Sequence, residues 1–384
     1  MVSCGGLCSV RASIVCALAL CVATQTALRS VPSLVFNGED GMAAELDYSN
    51  SDRGAILSAF GWAYTAGQIP GGVTSQLIGP KHTLFYSVAL GAVAGLLMPA
   101  SARFSFVGPL VLNAVIGLSQ GPVFPVVKGV MAMWLRPEEM ARGNAFVVSA
   151  SWNAGQVLQY LTSPRLLKSN GWRWSIGRMR IEIPGGWRLA WYFYAPLGLL
   201  FCAVWQYVGA DTPRSHPRIR PETIRFLEAG TPAAALRGSR DVENDRQIRA
   251  GGSDAAPAAA SAFNLRIMGR LLCLRPVYLT TLCLMLDGAA QAYANWLPQY
   301  YNTQLNFNLN DTGVVVALPL VIGMVSSLSG GVFADAVMKC GYSVTSVRRS
   351  FNFIPTVGMV ACLAVVSDTP SDARLSNMHH ICPP

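Results

Sequence analysis

The sequence predicts an all-α integral membrane protein, and three observations support this prediction. Of the 384 residues, 52% are hydrophobic and only 13% are charged, which is far more apolar than a soluble domain of this length. The charges are confined to intervals between long charge-free stretches, most of which reach the roughly 20 residues that a helix needs to cross about 30 Å of hydrocarbon. Short strands of alternating hydrophobicity, typical of an outer-membrane barrel, are absent from the sequence, so helices are the structure that satisfies the backbone in lipid.

Nine predicted spans follow one another along the chain. Seven of them are charge-free, and they are 54–80, 83–102, 104–127, 143–164, 189–210, 312–334 and 350–367. Two more, 12–36 and 276–301, contain one charged residue each, Arg29 and Asp287. The first apolar run follows Arg11, so it could be a signal peptide instead of a membrane span. Against that alternative, apolar residues resume after Arg29, and no small-residue cleavage site precedes a soluble domain.

The distribution of charge predicts the orientation. Basic residues collect in alternate loops, at Lys81, at Arg136 and Arg142, and in a segment with eleven arginines between positions 214 and 275. By the positive-inside rule these loops are cytoplasmic, and so is the N-terminus. The acidic loop at 37–52 belongs on the opposite face. The net charge of +9 therefore indicates membrane topology and a lipid environment, and no nucleic-acid partner is expected.

The spans fall into two unequal groups. We predict an N-terminal six-helix transmembrane half at 1–209, an Arg-rich cytoplasmic linker at 210–274, a partial C-terminal half of three helices at 275–367, and an unstructured tail at 368–384. A basic stretch at 172–186 falls on the predicted non-cytoplasmic side, against the charge rule. It is either a real external loop or a fragment inserted by an error in the gene model.

Glycine and proline motifs inside the spans predict close helix packing and helix bends. The first is QIPGG at 68–72, and the second is GPVFP at 121–125. Small residues let helix backbones approach, and an internal proline frees carbonyl groups that can line a cavity.

These motifs, together with several others, carry a resemblance to a known family. The others are ILSAF at 56–60, DTPRSHPRI at 211–219, NWLPQY at 295–300, ALP at 317–319 and TSVRRSF at 345–351. The sequence resembles the anion:cation symporters of the major facilitator superfamily, which include sodium/phosphate cotransporters, sialin, vesicular glutamate transporters and plant plastid phosphate transporters. The resemblance implies the major facilitator fold, here a six-helix half plus an incomplete second half. It also implies secondary active transport of small anions, inorganic phosphate or organic, by alternating access.

Arg29 is the first candidate for the binding site. An arginine well inside a span costs about 2.5 to 3.5 kcal/mol on insertion scales, so it should face a cavity or a partner. The alternative is an arginine that snorkels or serves structure. Its matched position in the family is a basic residue implicated in anion binding. With it we expect a substrate-binding set consisting of Arg29, Tyr64, Asn113, Gln120, Asp287, Tyr293 and Trp296.

Two members of this set depart from the family pattern. The family often has an acidic residue at the position of Gln120, and some members have arginine at that of Asn113. Gln120 cannot carry a proton, which puts proton coupling by that route in doubt. Asp287 is then the one clear intramembrane acid, and it either takes a coupling ion, sodium or a proton, or pairs with Arg29, or stays neutral or near water.

Three charged residues are candidates for gating. Asp335 and Arg348 flank the predicted loop between the last two spans, where major facilitator proteins have a cytoplasmic charge latch, and Arg142 matches another cytoplasmic motif of the family. Such a pair would hold one face closed and break on opening. The alternative is that all three are solvated loop charges.

The sequence contains no recognisable set of catalytic residues. No P-loop, metal-ligand pair or nucleophile with a base lies in or beside the spans, so we expect no enzyme, no cofactor and no metal. The expected partners are a small anionic substrate and membrane lipid, with a monomeric chain. A second hypothesis is a truncated or non-transporting member of the same family that acts as a sensor or scaffold.

Overall fold

The computed structural model describes residues 10–36, 41–176, 179–229, 296–303 and 305–343, and isolated positions from 274 to 361. Within these ranges, the backbone alone is described at 172–176, 179–182, 335 and 339. The helices are α1 Val10–Val35, α2 Met42–Glu45, α3 Asn50–Ile78, α4 Pro80–Ser101, α5 Val107–Gln120, α6 Val123–Trp134, α7 Met140–Asn144, α8 Ser151–Leu167, α9 Trp187–Val208, α10 Pro221–Ala229, α11 Leu297–Thr303 and α12 Leu309–Lys339. A π-helical segment, Ala145–Ala150, joins α7 to α8, and a 3-10 turn lies at Pro213–Ser215.

The described helices coincide with seven of the nine predicted spans. Five segments are long and apolar enough to cross a membrane, and they are Val10–Val35, Pro80–Ser101, Val107–Trp134, Trp187–Val208 and Leu309–Met338. The helix α3 has 29 residues, or about 43 Å of rise, but carries more small and polar side chains. Most of the predicted spans 276–301 and 350–367 lies outside the described residues, so the count of nine remains a prediction.

The span predicted at 104–127 is two helices. α5 ends at Gln120 and α6 begins at Val123, with Gly121 and Pro122 between them. Proline lacks the N–H that would continue the helical ladder, which explains the break in the GPVFP motif. α6 then runs past the predicted end to Trp134 and includes Lys128, whose side chain is exposed.

The helix α1 is the centre of the described bundle and packs against α4, α8 and α9. Two hydrophobic clusters surround it. One contains Ile14 and Leu18 together with Trp134 and Trp205, and the other contains residues from Ala27 to Phe36 of the chain. Residues 24–26 lie between the two clusters and are polar, so the middle of the bundle has a polar layer.

Glycines allow close contact between helices, as the motifs predict. A Cβ on Gly117 of α5 would overlap the backbone of Phe60 in α3, and one on Gly71 would overlap Pro122. On the other side of α1, a Cβ on Gly155 of α8 would overlap the carbonyl of Ala23. At Gly117 and Gly155 the helix pairs therefore meet backbone to backbone.

A β-hairpin interrupts the helical architecture. Strands β1, Gly171–Ile176, and β2, Met179–Pro184, pair antiparallel from Gly171 opposite Pro184 to Ile176 opposite Met179. The alternation of large apolar and polar residues in β1 has the period of a strand, which the prediction of a purely helical chain overlooked. The hairpin lies between α8 and α9, in the stretch that breaks the charge rule.

Hydrogen bonds between distant segments close both ends of the bundle. At what we call the basic end, where Lys81 and Arg11 lie, Arg11 forms an ion pair with Glu139, and Nε1 of Trp205 donates to the carbonyl of Lys81 at 3.0 Å. At the other end the carboxylate of Glu45 accepts from the indole of Trp187 at 2.7 Å and forms an ion pair with Arg188. These contacts hold the helix ends while the polar layer lies between them.

Candidate functional site

The polar layer of α1 satisfies its own hydroxyl groups. Oγ1 of Thr24 donates to the carbonyl of Leu20 at 2.9 Å, and Oγ1 of Thr26 donates to that of Val22 at 2.9 Å. Hydroxyl groups that bond to the preceding turn require no partner from elsewhere. Arg29 lies on the next turn of α1, beside this polar layer.

Three aromatic rings surround the guanidinium group of Arg29. Its Cζ lies 4.8 Å from the ring centroid of Phe60, 5.2 Å from that of Tyr64, and 5.0 Å from that of Trp152. Phe60 and Tyr64 come from α3 and are nearly parallel, with centroids 5.8 Å apart and an interplanar angle of 12°. Trp152 comes from α8. We call this arrangement the aromatic cage.

The aromatic cage leaves the hydrogen-bond donors of Arg29 available. Among the described residues, Arg29 forms no ion pair and donates no hydrogen bond, in contrast to Arg11 and Arg188. A guanidinium group carries five N–H donors and keeps its charge in a protein. A cation–π contact stabilises that charge by about 0.5 to 2 kcal/mol without using an N–H donor. The site can therefore bind an anion through the edge of the guanidinium.

The structure brings Tyr64 to Arg29 but places two other predicted residues in helix packing. Nδ2 of Asn113 donates to the carbonyl of Ile56 at 2.7 Å, which ties α5 to α3. Nε2 of Gln120 donates to the carbonyl of Gln25 at 3.1 Å, which ties α5 to α1. Both side chains are buried, so each contributes to the wall behind the polar layer.

The remaining predicted residues belong to the second part of the chain. Trp296 is 38% exposed and lies beside Gly54 in the first turns of α3. Asp287, Tyr293 and Arg348 lie outside the described residues. Asp335 is part of α12, but its side chain lies outside the described part of the structure.

Arg142, the third gating candidate, lies in α7 with its side chain exposed. Because both Asp335 and Arg348 lack a described side chain, the structure does not test the latch. The three gating residues remain predictions.

Two residues of the aromatic cage, Phe60 and Trp152, are absent from the predicted set. Trp152 shares one face of α8 with Gln156, Gln159 and Ser163, but polar residues such as Asn153 and Thr162 lie outside that face, so the sequence shows no distinct polar face there. Phe60 precedes Tyr64 by four residues and therefore shares its face of α3.

One buried side chain near the cage has no described partner. Both amide atoms of Gln25 are buried and without a hydrogen bond in the structure, and the residue is 3% exposed. A Cβ on Gly91 of α4 would lie 3.8 Å from Oε1 of Gln25, so this amide points between α1 and α4 rather than toward the guanidinium. It belongs to the interior of the helix bundle.

Comparisons with known proteins agree with this architecture. Residues 15–373 match the model of the Major Facilitator Superfamily. Among curated relatives, the chain is 25% identical over 337 residues to sodium-dependent phosphate transport protein 1, chloroplastic, of Arabidopsis thaliana, which covers 87% of the chain and 58% of the relative. It is 25% identical over 333 residues to the chloroplastic ascorbate transporter of the same organism, which covers 86% and 54%. The chain thus spans somewhat more than half the length of these relatives.

A solved structure shows the same fold. A bacterial homolog of the human lysosomal transporter Spinster, in an inward-facing and unoccupied conformation, superimposes with a TM-score of 0.55 at 13% identity, covering 86% of this chain and 62% of that one. At this identity the likeness concerns the fold alone.

Proposed function

Because the chain belongs to the major facilitator superfamily and is a multi-pass membrane protein, we propose that it is a secondary active transporter that moves a small anion by alternating access. The observation that carries this proposal is the environment of the Arg29 side chain. Its guanidinium lies inside the aromatic cage, and its N–H donors are unused among the described residues.

The physical reason for an anion is the cost of an uncompensated cation. A charged side chain within the bilayer is expensive unless a partner or water compensates it. Aromatic faces compensate part of this cost, and an anion on the N–H edge would compensate more. We therefore propose Arg29 and Tyr64 as substrate-binding residues, and Asn113 and Gln120 as residues of the wall behind them. Asp287, Tyr293 and Trp296 are proposed contributions from the second half.

The names of the relatives suggest which anions to test. One is named a phosphate transport protein and another an ascorbate transporter. Both phosphate and ascorbate are small anions that a guanidinium can bind through its edge. We propose an anion of this class, with sodium or a proton as the coupling ion. Asp287 is the proposed ion site, since the amide of Gln120 cannot be protonated in this role.

The orientation and the gate complete the proposal. The basic end with Arg11 and Lys81 would face the cytoplasm, together with the N-terminus. Asp335 and Arg348 would form the latch of the second half, with Arg142 at the same face. The transporter would work as a monomer in lipid. Relatives named as transporters support this function over that of a sensor or scaffold, and over that of an enzyme.

Uptake into proteoliposomes tests the proposal. Labelled phosphate and ascorbate are offered under a sodium or a proton gradient to the wild-type chain, to Arg29→Ala and to a matched control, Arg165→Ala. Arg165 lies on α8 with an exposed side chain that bonds the carbonyl of Leu161 at 3.1 Å. We expect saturable uptake by the wild type and by Arg165→Ala, and none by Arg29→Ala.

The other outcomes are equally clear. Uptake by Arg29→Ala at the wild-type rate would remove Arg29 from the binding site. Failure of the wild-type chain to take up either anion under either gradient would refute the proposed transport function.

A further inference from the structure

Trp152 lies at the start of α8, next to the π-helical segment. It is the second residue of α8, directly after the π-helical segment Ala145–Ala150. Oγ of Ser151 donates to the carbonyl of Phe146 at 2.9 Å, five residues back, and the main-chain N–H of Ser151 bonds the same carbonyl. The wider turn therefore ends immediately before the tryptophan. π-helical turns of this kind are found frequently at functional sites.

The packing of α8 fixes the side of the helix on which Trp152 lies. Gly155, three residues later, meets the backbone of α1 at Ala23 and the hydroxyl of Thr26 so closely that a Cβ would overlap both. Trp152 thus faces the turn of α1 that contains Arg29. The ring centroid of Phe124 in α6 lies 5.3 Å from that of Trp152, at an interplanar angle of 49°. The indole therefore neighbours both the guanidinium and a second aromatic ring.

The chemistry of this contact differs from that of an ion pair. A carboxylate beside Arg29 would take up its N–H donors and cancel the charge that attracts an anion. An aromatic face stabilises the charge and restricts the side chain while the donors stay available. The two rings of α3 act from one helix and the indole of α8 from another, so the guanidinium is held by both helices at once.

We propose that Trp152 is a positioning residue for anion binding: it orients the guanidinium of Arg29 and keeps its hydrogen-bonding edge directed at the anion. This inference rests on the proposed function and deepens it. Trp152 acts through Arg29 rather than by its own contact with the anion. Its removal lowers affinity for the anion and leaves the turnover of bound anion largely unchanged.

The test measures half-saturation and maximal rate separately. Uptake of labelled phosphate and of ascorbate is recorded for the wild type, Trp152→Leu and Trp152→Phe. Loss of one cation–π contact in a desolvated site should raise the half-saturating concentration about tenfold in Trp152→Leu, with the maximal rate within about twofold of the wild type. Trp152→Phe keeps an aromatic face and should show an intermediate rise.

A matched tryptophan separates positioning from folding. Trp205 of α9 is fully buried at the basic end and is not part of the aromatic cage. Its indole donates a hydrogen bond to the carbonyl of Lys81. We expect Trp205→Leu to reduce the melting temperature and the amount of folded protein, and therefore the maximal rate, with an unchanged half-saturating concentration. A purely structural role for Trp152 would give this same pattern and would overturn the inference.

The outcomes distinguish this inference from the proposed function. Uptake that Arg29→Ala abolishes but Trp152→Leu leaves with wild-type half-saturation would refute the role of Trp152 and preserve the anion site. Uptake that Arg29→Ala leaves intact, or a wild-type chain that takes up neither anion, would overturn both.

Discussion

Oδ1 of Asp211 accepts the main-chain N–H of Lys81 at 2.9 Å, so the carboxylate beyond the end of α9 caps the first turn of α4. The first N–H groups of a helix lack partners within the helix, and a carboxylate there also interacts favourably with the helix dipole. Gly79 precedes this turn with φ of 87°, and a Cβ on it would overlap the carboxylate of Asp211. Together with the bond from the indole of Trp205 to the carbonyl of Lys81, this contact joins two segments that are distant in sequence.

Replacement of Asp211 should destabilise the protein through the loss of this cap. We expect Asp211→Ala to lower the free energy of unfolding by about 1 kcal/mol, the usual effect of removing a capping side chain. Asp211→Asn keeps an oxygen acceptor and should retain most of the stability. Thermal unfolding in detergent measures both. Equal loss in the two variants would show that the negative charge, rather than the hydrogen bond, is what matters.

Gly79→Ala should destabilise the protein more than the addition of one methyl group suggests. Gly79 has φ of 87° and ψ of 152°, a region essentially restricted to glycine, where alanine is strained by about 1 to 3 kcal/mol, and its Cβ would also displace the Asp211 carboxylate. Gly72→Ala is the control, because it lies inside α3 with nothing within 4 Å of the added Cβ. Helix propensity then favours alanine by up to about 1 kcal/mol. The melting temperature should fall for the first variant and stay the same or rise for the second, and the reverse order would contradict the described turn.

Gly155→Val should separate α1 from α8. A side chain at this position meets the backbone of Ala23 and the hydroxyl of Thr26, and backbone yields less than a flexible side chain. Overpacking of this kind costs about 1 to 3 kcal/mol. The helix shift should also move Trp152 away from Arg29, so anion half-saturation should rise along with the loss of stability.

Gly61→Val is the control for this prediction, since a Cβ on Gly61 of α3 has nothing within 4 Å. We expect its melting temperature and its half-saturation to remain close to those of the wild type. A similar response of both variants would mean that the close contact at Gly155 does not determine the packing of α1 on α8.

Acid should weaken the end of the bundle at which Glu45 lies. The hydrogen bond from Arg188 to Glu45 holds the pKa of this carboxyl below its ordinary value, and the indole of Trp187 acts in the same direction. A carboxyl whose folded pKa is depressed stabilises the fold above its unfolded pKa, near 4.3, and loses that contribution as pH falls through the folded pKa.

Melting temperatures recorded between about pH 6 and pH 3 test this dependence. Wild type should lose more stability with acid than Glu45→Gln, which has no charge to titrate. Because the Glu45 side chain is 45% exposed, the difference should be small and should shrink in high salt. Identical acid profiles for the two proteins would show that the ion pair with Arg188 does not form in solution.

The sequence predicted the helices well because apolar, charge-free stretches of sufficient length have few alternatives in a membrane. It also placed Arg29 and Tyr64 in one predicted binding set, and the two side chains are in contact in the structure. The contact of Trp152 with Arg29 was not predicted, because it depends on the π-helical turn and on the close approach at Gly155, neither of which has a periodic pattern in the sequence. Asn113 and Gln120 have donors that main-chain carbonyls of neighbouring helices take up. Polar residue type alone could not distinguish that use from substrate contact.

The cap on α4 has a consequence for the order in which the protein is made. Asp211 follows Lys81 by 130 positions, and Glu139 follows Arg11 by 128, so neither contact exists until most of the first half has left the ribosome. Until then the start of α4 lacks its acceptor, and the helices at the basic end are held by lipid and by their apolar faces. The emergence of Asp211 thus completes the cap on α4, and a nascent chain arrested before it would enter the membrane with its first helices in place and the start of α4 still uncapped.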